Sequence, residues 1–328
     1  MSGLAVGVDI GGTRIRTALV ERSGRIVKHQ SVPTPAALQR HEVMQAVLRS
    51  ISWMIAQAEE LGREVKGIGI GSAGQINADT GIVEFAVDTL PNWQGTPIRP
   101  LVRELYEHIP VWVDNDVNAL ALAEKVYGKG QEYSHFVCLA LGTGIGGAIV
   151  ESGRPVRGCF GGAGEFGHLS VNFEGPRCSC GNYGCLELYA SGTSMARLAR
   201  VELEKAGRLG QAEIDRYSAH ELLRDWAAGE EPASIAMTTV IQALATGIAS
   251  IIHIFNPQVV FIGGGVADAG EALLTPLREE THERTSPKMS EACEILPISL
   301  GSRAGVMGAA AQVWTEGGSK SIVNMDGV

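Results

Sequence analysis

The sequence predicts an α/β fold with mostly parallel sheets, in two related halves that face each other across a cleft. Three observations predict it. Short apolar runs of strand length alternate with longer segments whose apolar residues recur at helical spacing. A glycine-rich turn follows an apolar strand near residue 11, and another near residue 144, so one pattern occurs twice. The 328 residues suffice for two domains with a core each.

Taken in order, residues 4–9 form a first strand, and Ile10-Gly11-Gly12-Thr13 turns the chain. Residues 16–21 and 26–32 are two more strands, joined at Ser23-Gly24. Val43, Val47, Ile51, Met54 and Ile55 place an amphipathic helix over residues 41–61, closed by Gly62. Residues 66–71 are a buried strand that leads into Ser72-Ala73-Gly74. Residues 97–108 are a helix, and residues 111–114 a strand entering a helix near Asp116. Residues 136–141 and 145–150 flank the second glycine-rich turn. Residues 191–256 are mainly helical, and residues 259–262 are a strand that ends in Gly263-Gly264-Gly265. A helix at 271–282, a strand at 295–300 and a helix at 304–316 complete the core, with 317–328 expected to fray. No Pro/Ser-rich linker divides the halves, so the expected boundary near residue 117 is a hinge. Residues 1–117 with about 301–328 form the smaller domain, and 118–300 the larger.

Lys+Arg 27 against Asp+Glu 36 leaves a net charge of −9, which excludes the basic surface of a nucleic-acid or anionic-membrane binder. A hydrophobic share of 45% excludes general disorder. Glycine is in excess, 42 residues, which implies tight turns and bare backbone beside a ligand. The N-terminus has no basic region and meets an acid at Asp9, unlike a signal peptide. The most apolar stretch, residues 240–255, falls short of a span of ~20 residues and carries Gln242, Thr246, Ser250 and His253. It is expected to be a core helix, and the chain to be cytoplasmic.

Asp9, Gly11, Gly12, Thr13 and Arg14 combine an acid, two glycines, a hydroxyl and a cation at a strand end. Glycines let backbone N–H groups face a phosphate, and Asp9 can hold Mg²⁺ through water. Gly142, Thr143, Gly144 and Gly146 repeat that chemistry, and Gly264 offers bare backbone to a flat ring. Asp114-Asn115-Asp116-Val117-Asn118 precedes a helix, for which Asn118 or Asp116 is an N-cap. A carboxylate beside an amide also suits a base that takes the proton of an attacking hydroxyl, a role that falls to Asp116. His168, Cys178, Cys180 and Cys185 supply three thiolates and an imidazole in a polar, glycine-rich segment. That set suits a closed, structural Zn²⁺ site, bracketed by Glu165 and Glu187, which would meet sugar hydroxyls. Cys138, Cys159 and Cys293 are expected to be buried fillers.

These residues together resemble the ROK family of bacterial sugar kinases and repressors, over nearly the whole chain. The likeness rests on Asp-Ile-Gly-Gly-Thr at 9–13, Asn115-Asp116, the 142–147 loop, Glu165-Phe166-Gly167-His168, the cysteine run 178–187 and Asn256-Pro257. It implies a two-domain actin-like ATPase (ribonuclease H-like) fold with the ligand cleft between the domains. It also implies ATP with Mg²⁺ and transfer of the γ-phosphoryl group to a sugar hydroxyl, usually O6. On this resemblance Asp116 is the catalytic base. Asn115, Glu165, His168 and Glu187 hold the sugar with Asp116, and Gly74 joins them. The resemblance also implies that His168 ligates zinc, and a homodimer is expected, since dimers are usual in the family.

ROK repressors carry a DNA-binding segment ahead of this core. Here the first strand starts near residue 4, and the phosphate loop and Asp116 are intact, so a kinase is expected. A non-catalytic sugar sensor or transcriptional regulator is the alternative. ROK glucokinases carry Asn where this chain has Thr89, whereas residues 110–116 and 175–181 resemble N-acetylmannosamine kinases. The expected substrate is therefore N-acetylmannosamine, narrowly ahead of glucose.

Overall fold

The computed structural model describes residues 3–35, 39–86, 90, 92–207 and 210–319, the last four by backbone alone. The chain runs through β1 (Leu4–Ile10), β2 (Arg14–Glu21), β3 (Ile26–Pro33), α1 (Arg40–Glu60), β4 (Val65–Ser72), β5 (Gln75–Asn77), β6 (Ile82–Phe85), α2 (Ile98–Leu105), β7 (Val111–Asn115) and α3 (Asp116–Tyr127). It continues through β8 (Phe136–Leu141), β9 (Ile145–Glu151), β10 (Arg154–Val156), α4 (Glu187–Ala190), α5 (Gly192–Ala206), α6 (Gln211–Ile214), α7 (Ala219–Ala227) and α8 (Glu231–Phe255). β11 (Val259–Gly263), α9 (Glu271–Arg284), α10 (Pro287–Ala292), β12 (Glu294–Pro297) and α11 (Ala304–Ser319) follow.

Two compact units result. The first joins Met1–Ser134, Ile149–Ala163 and the chain from Ser299 onward; the second joins His135–Ala148 and Gly164–Ile298. The first unit therefore runs past the boundary expected at residue 117. The reason is α3, which packs on α11 so closely that a Cβ at Gly308 would overlap the Ala119 carbonyl.

The first unit is built on a sheet of order β3-β2-β1-β4-β7. β1 alternates. Leu4, Val6, Val8 and Ile10 share a core with Val43, Val47, Ile51 and Met54 of α1. Ala5, with Ala18 and Val20 of β2, meets Val306, Ala310 and Val313 of α11. Small residues line that second face because the helix backbone lies against it: side chains at Gly7 and Gly69 would overlap the carbonyls of Val306 and Ala309. The second sheet has the order β10-β9-β8-β11-β12, of which β8, β11, β12 and the start of β9 lie in the second unit, and Phe136 and Phe261 stack edge to face at 5.5 Å there. α8 is longer than the apolar stretch seen in the sequence, 25 residues, and by length and composition alone is enough to cross a membrane. Yet 67% of its most apolar window is buried, against α4, α5, α7 and α9, which makes it a core helix.

Both sheets are mixed, where mostly parallel ones were expected. β1 is antiparallel to β2, and β2 to β3, whereas β4 runs parallel to β1 and β7. β11 is parallel to β8 and β12. The glycine turns explain the mixture, since a loop of a few residues joins only antiparallel neighbours. The β5–β6 hairpin, β10, α4 and α10 were not foreseen, being too short to show a period. α2 stops at Leu105, short of residue 108, because Tyr106 leaves helical geometry. α11 continues to Ser319, so the fraying expected from 317 does not begin there, and residues 320–328 lie outside the described residues.

Candidate active site

The first glycine turn is tied down through its carbonyls. Gly11 N–H donates to the Arg14 carbonyl at 3.1 Å, and Thr34 donates through Oγ1 to Gly11 (2.7 Å) and through N–H to Thr13 (2.9 Å). The Arg14 guanidinium donates to Ser31 Oγ at 2.7 Å and to its carbonyl at 3.1 Å, which anchors this cation on β3. Gly12 is half-buried and Thr13 exposed at the tip. Asp9 is the penultimate residue of β1, 3.2 Å from Arg16. Burial pushes the Asp9 carboxyl above its usual range, and Arg16 opposes that. The start of α11 closes over it: a Cβ at Gly305 would stand 2.7 Å from Asp9 Oδ2.

Asp116 is the first residue of α3, directly after β7. The cap of that helix is Asn115, not Asp116 or Asn118. Its Oδ1 accepts from Val117 N–H at 2.8 Å and Asn118 N–H at 3.2 Å. Its Nδ2 donates to the Gly74 carbonyl at 2.9 Å, which leaves one amide N–H for a ligand. Behind them Asp114 is buried, accepting from Asn118 Nδ2 (2.9 Å) and pairing with Arg157 Nε at 2.8 Å. Asn115, Asp116 and Gly74 are thus brought together on a fastened backbone.

The second glycine turn lies in the other unit and is held differently. Gly142 N–H donates to the Gly144 carbonyl at 2.9 Å. The start of α5 then clasps the turn, with Gly192 N–H on the Gly142 carbonyl (2.8 Å) and Thr193 Oγ1 on the Thr143 carbonyl (3.0 Å). Glu187 accepts from Ile145 N–H at 2.8 Å, and a Cβ at Gly144 would stand 2.5 Å from its Oε2. Beside the turn opens a cavity of about 650 Å³. Leu141, Gly142, Thr143, Gly192, Thr193, Ala196, Arg200, Ser218, Ala219, His220, Leu223, Gly265, Val266 and Asp268 line it. Gly265, not the expected Gly264, faces this space. Gly264 sits at φ +85°, where any Cβ would overlap the Leu141 carbonyl, so it packs the floor. A glycine-rich turn beside a helix N-terminus suits phosphates, and the apolar residues behind it suit a flat base.

His168, Cys178, Cys180 and Cys185 come together as their spacing predicts, with all four ligand atoms within 4.8 Å of one another. Cys178 Sγ lies 3.7 Å from His168 Nδ1, and Cys180 Sγ 3.6 Å from Cys185 Sγ. Ligands about 2.0–2.3 Å from one tetrahedral ion stand roughly 3.3–3.8 Å apart, so the donor set fits Zn²⁺. A disulfide would need about 2.05 Å. Burial raises the Cys178 thiol, but hydrogen bonds from the Cys180 backbone and the neighbouring side chains bring it down to about 7. Burial and the adjacent Cys180 and Cys178 push Cys185 up to about 12. His168 turns its other nitrogen, Nε2, to Glu165 Oε2 at 4.0 Å. Cys138 and Cys293 are buried and half-buried, but Cys159, expected inside, is exposed in the glycine-rich loop after β10.

The expected site residues therefore divide between the units. Gly74, Asn115, Asp116 and the Asp9–Arg14 turn belong to the first. Glu165, His168, Glu187, the cysteines, the 142–146 turn and Gly264 belong to the second. Sequence reasoning missed most of the cavity wall. Arg200, His220 and Leu223 sit in ordinary helices with nothing to mark them, and Ser218 caps α7 in a Ser-x-x-Glu box with Glu221, a signal that marks a helix start and not a cavity wall. Thr89 lies outside the described residues.

The profile of the ROK family matches residues 5–316. The glucokinase of Thermotoga maritima is 37% identical over 312 residues, 93% of this chain and 96% of that protein. The xylose repressor of Caldicellulosiruptor bescii is 30% identical over 317 residues, 95% of this chain and 78% of the repressor. The crystal structure of a ROK family glucokinase from Streptomyces griseus in complex with glucose and AMPPNP matches with a TM-score of 0.81 at 32% identity, covering 94% of this chain and 98% of that one. The chain belongs to the ROK family and has its two-domain, actin-like ATPase fold.

Proposed function

We propose that the chain is an ATP-dependent sugar kinase that transfers the γ-phosphoryl group to the 6-hydroxyl of a hexose or N-acetylhexosamine. The position of Asp116 carries this reading: a carboxylate on the first residue of α3, beside an amide that is locked at both ends. Asp116 accepts the proton of the sugar hydroxyl as the phosphoryl group leaves ATP. Asn115, Glu165, His168, Glu187 and Gly74 hold the sugar, as the family resemblance implies. Gly11, Gly12, Thr13, Arg14, Gly142, Thr143, Gly144 and Gly146 are the proposed phosphate-binding residues, with the base in the 650 Å³ cavity. Zn²⁺ on His168 and the three cysteines would be structural and fix the imidazole that faces Glu165. Asp9 offers one carboxylate, which suits Mg²⁺ shared with phosphate oxygens and water rather than caged by protein; the ion would neutralise developing phosphate charge. A cytoplasmic homodimer without a nucleic-acid or membrane partner completes the proposal.

Two acceptors are supported about equally. The two glucokinase relatives support glucose, and the likeness of residues 110–116 and 175–181 to N-acetylmannosamine kinases supports N-acetylmannosamine. The repressor relative keeps a sugar sensor as the second reading. Sugar-dependent ADP release across glucose, N-acetylmannosamine, mannose and N-acetylglucosamine decides between them. Asp116→Asn is expected to lower turnover about 10²- to 10⁴-fold while sugar binding persists. Near-normal turnover in that variant refutes the base, and sugar binding without any ADP in the parent refutes the kinase.

A further inference from the structure

Glu124 sits on α3 about 12 Å beyond Asp116, at 1.5 Å per residue. It is fully buried, at 0% exposure. Its Oε1 accepts from Ser299 N–H (2.7 Å) and Leu300 N–H (3.1 Å). Its Oε2 accepts from Ser299 Oγ (2.7 Å) and Lys129 N–H (3.1 Å). All four donors are uncharged. Gly128 makes the room, since a Cβ there would overlap Oε2. The next residue, Lys125, donates through Nζ to the Tyr133 carbonyl at 2.8 Å and to those of Gly130 and Gln131 at 3.4 Å. Gly153 N–H holds the Ser134 carbonyl at 2.8 Å.

These anchors coincide with the first and the last of the four points where the chain changes units. The first lies between Ser134 and His135 and the last between Ile298 and Ser299, with Ile149–Ala163 returning to the first unit in between. The first-unit side of the first and last crossings is therefore bonded to the last turns of α3 or next to them, and a residue of the α3 N-terminus is the proposed base. A buried carboxylate is a costly way to fill space, which an apolar side chain of similar volume does without desolvating a charge. Three acceptor positions filled by Ser299 and Leu300, far along the chain, and a fourth by nearby Lys129 fit a tether.

We propose that Glu124 is a positioning residue for phosphoryl transfer: it fastens the last chain crossing, at Ser299–Leu300, to the helix that carries Asp116, next to the first crossing held by Lys125, so that sugar binding and nucleotide binding are coupled through one rigid element. This inference rests on the kinase reading above. Glu124→Gln discriminates, because the amide can still accept from Ser299 and Leu300 through Oε1 but turns N–H groups toward Lys129 N–H. Ser299→Ala removes one donor and leaves the carboxylate.

The test is calorimetry of AMPPNP with Mg²⁺, with and without saturating glucose or N-acetylmannosamine, on the full chain, together with kcat and KM. AMPPNP affinity without sugar is expected to stay at the parent value in both variants. The sugar-induced gain in AMPPNP affinity is expected to shrink at least about threefold, and kcat to fall about tenfold, in Glu124→Gln, with smaller changes in Ser299→Ala. Parent-like coupling and kcat in both variants overturn the proposal. So does a parent with no coupling, or loss of AMPPNP affinity without sugar, which marks a merely structural role. If Glu124→Gln does not fold, Ser299→Ala decides alone. A parent that couples the two ligands but releases no ADP refutes the kinase reading and leaves the tether standing.

Discussion

The two glycine turns read alike in the sequence and are built differently. At Gly11–Thr13 the partners come from the same hairpin and the strand end beyond it: Arg14, Ser31 and Thr34. At Gly142–Gly144 they come from far along the chain: Gly192 and Thr193 from a helix start, and Glu187 from the end of the cysteine run. The first turn is a hairpin tip next to a half-buried acid. The second is one wall of a cavity, and its shape depends on elements that fold elsewhere. A glycine motif says that backbone will be bare; the distant partners decide what that backbone faces.

Four substitutions test this contrast. Gly264→Ala should do most damage, since φ +85° with ψ 171° is glycine-only territory and the Cβ meets the Leu141 carbonyl. A stability loss of about 3 kcal/mol or more is expected in urea unfolding, and a parent-like midpoint would show that the second turn is not packed as described. Next comes Cys180→Ser. Losing a thiolate ligand should weaken zinc about a hundredfold or more, read by metal analysis against a competing chelator. Because Glu187 lies two residues after Cys185, AMPPNP binding should weaken as well; unchanged zinc content breaks the assignment. Gly144→Ala pushes a methyl against Glu187 Oε2, 2.5 Å away. AMPPNP affinity is expected to drop about tenfold, with little change in melting temperature, as the carboxylate swings off Ile145. Gly11→Ala should matter least: its Cβ would stand 3.2 Å from the Arg14 carbonyl. Less than about 1 kcal/mol and a threefold change in affinity are expected. An effect there equal to that of Gly144→Ala would erase the contrast.

The sequence was most legible where chemistry and period are local. The alternation of Leu4, Val6 and Val8, the helical spacing of Val43 to Met54, and the crowding of Cys178, Cys180 and Cys185 each have one physical reading. Legibility failed where the outcome depends on a single dihedral or on distant packing. Which of Asn115, Asp116 and Asn118 caps α3 turns on one residue's extended backbone, and Asn115 has it. The mixed sheets follow from turn length, which the glycines concealed behind a strand–helix alternation. Arg200 and His220 belong to helices that look like any others until the path of the chain brings them to the cavity. Nothing in the sequence marks Glu124, and Ser299, 175 residues on, is what engages it.

The first unit closes its sheet with a helix from the other end of the chain, and this has a consequence for biosynthesis. β1 leaves the ribosome first, and its α1 face can be covered early, because α1 follows within the same segment. Its other face, Ala5 with Ala18 and Val20, waits for Val306, Ala310 and Val313. The second unit has all its strands and helices by Ile298, before α11 is made. Vectorial synthesis therefore matures the amino-terminal unit last, and a nascent chain arrested short of Ala304 presents a bare sheet face to chaperones or to another chain.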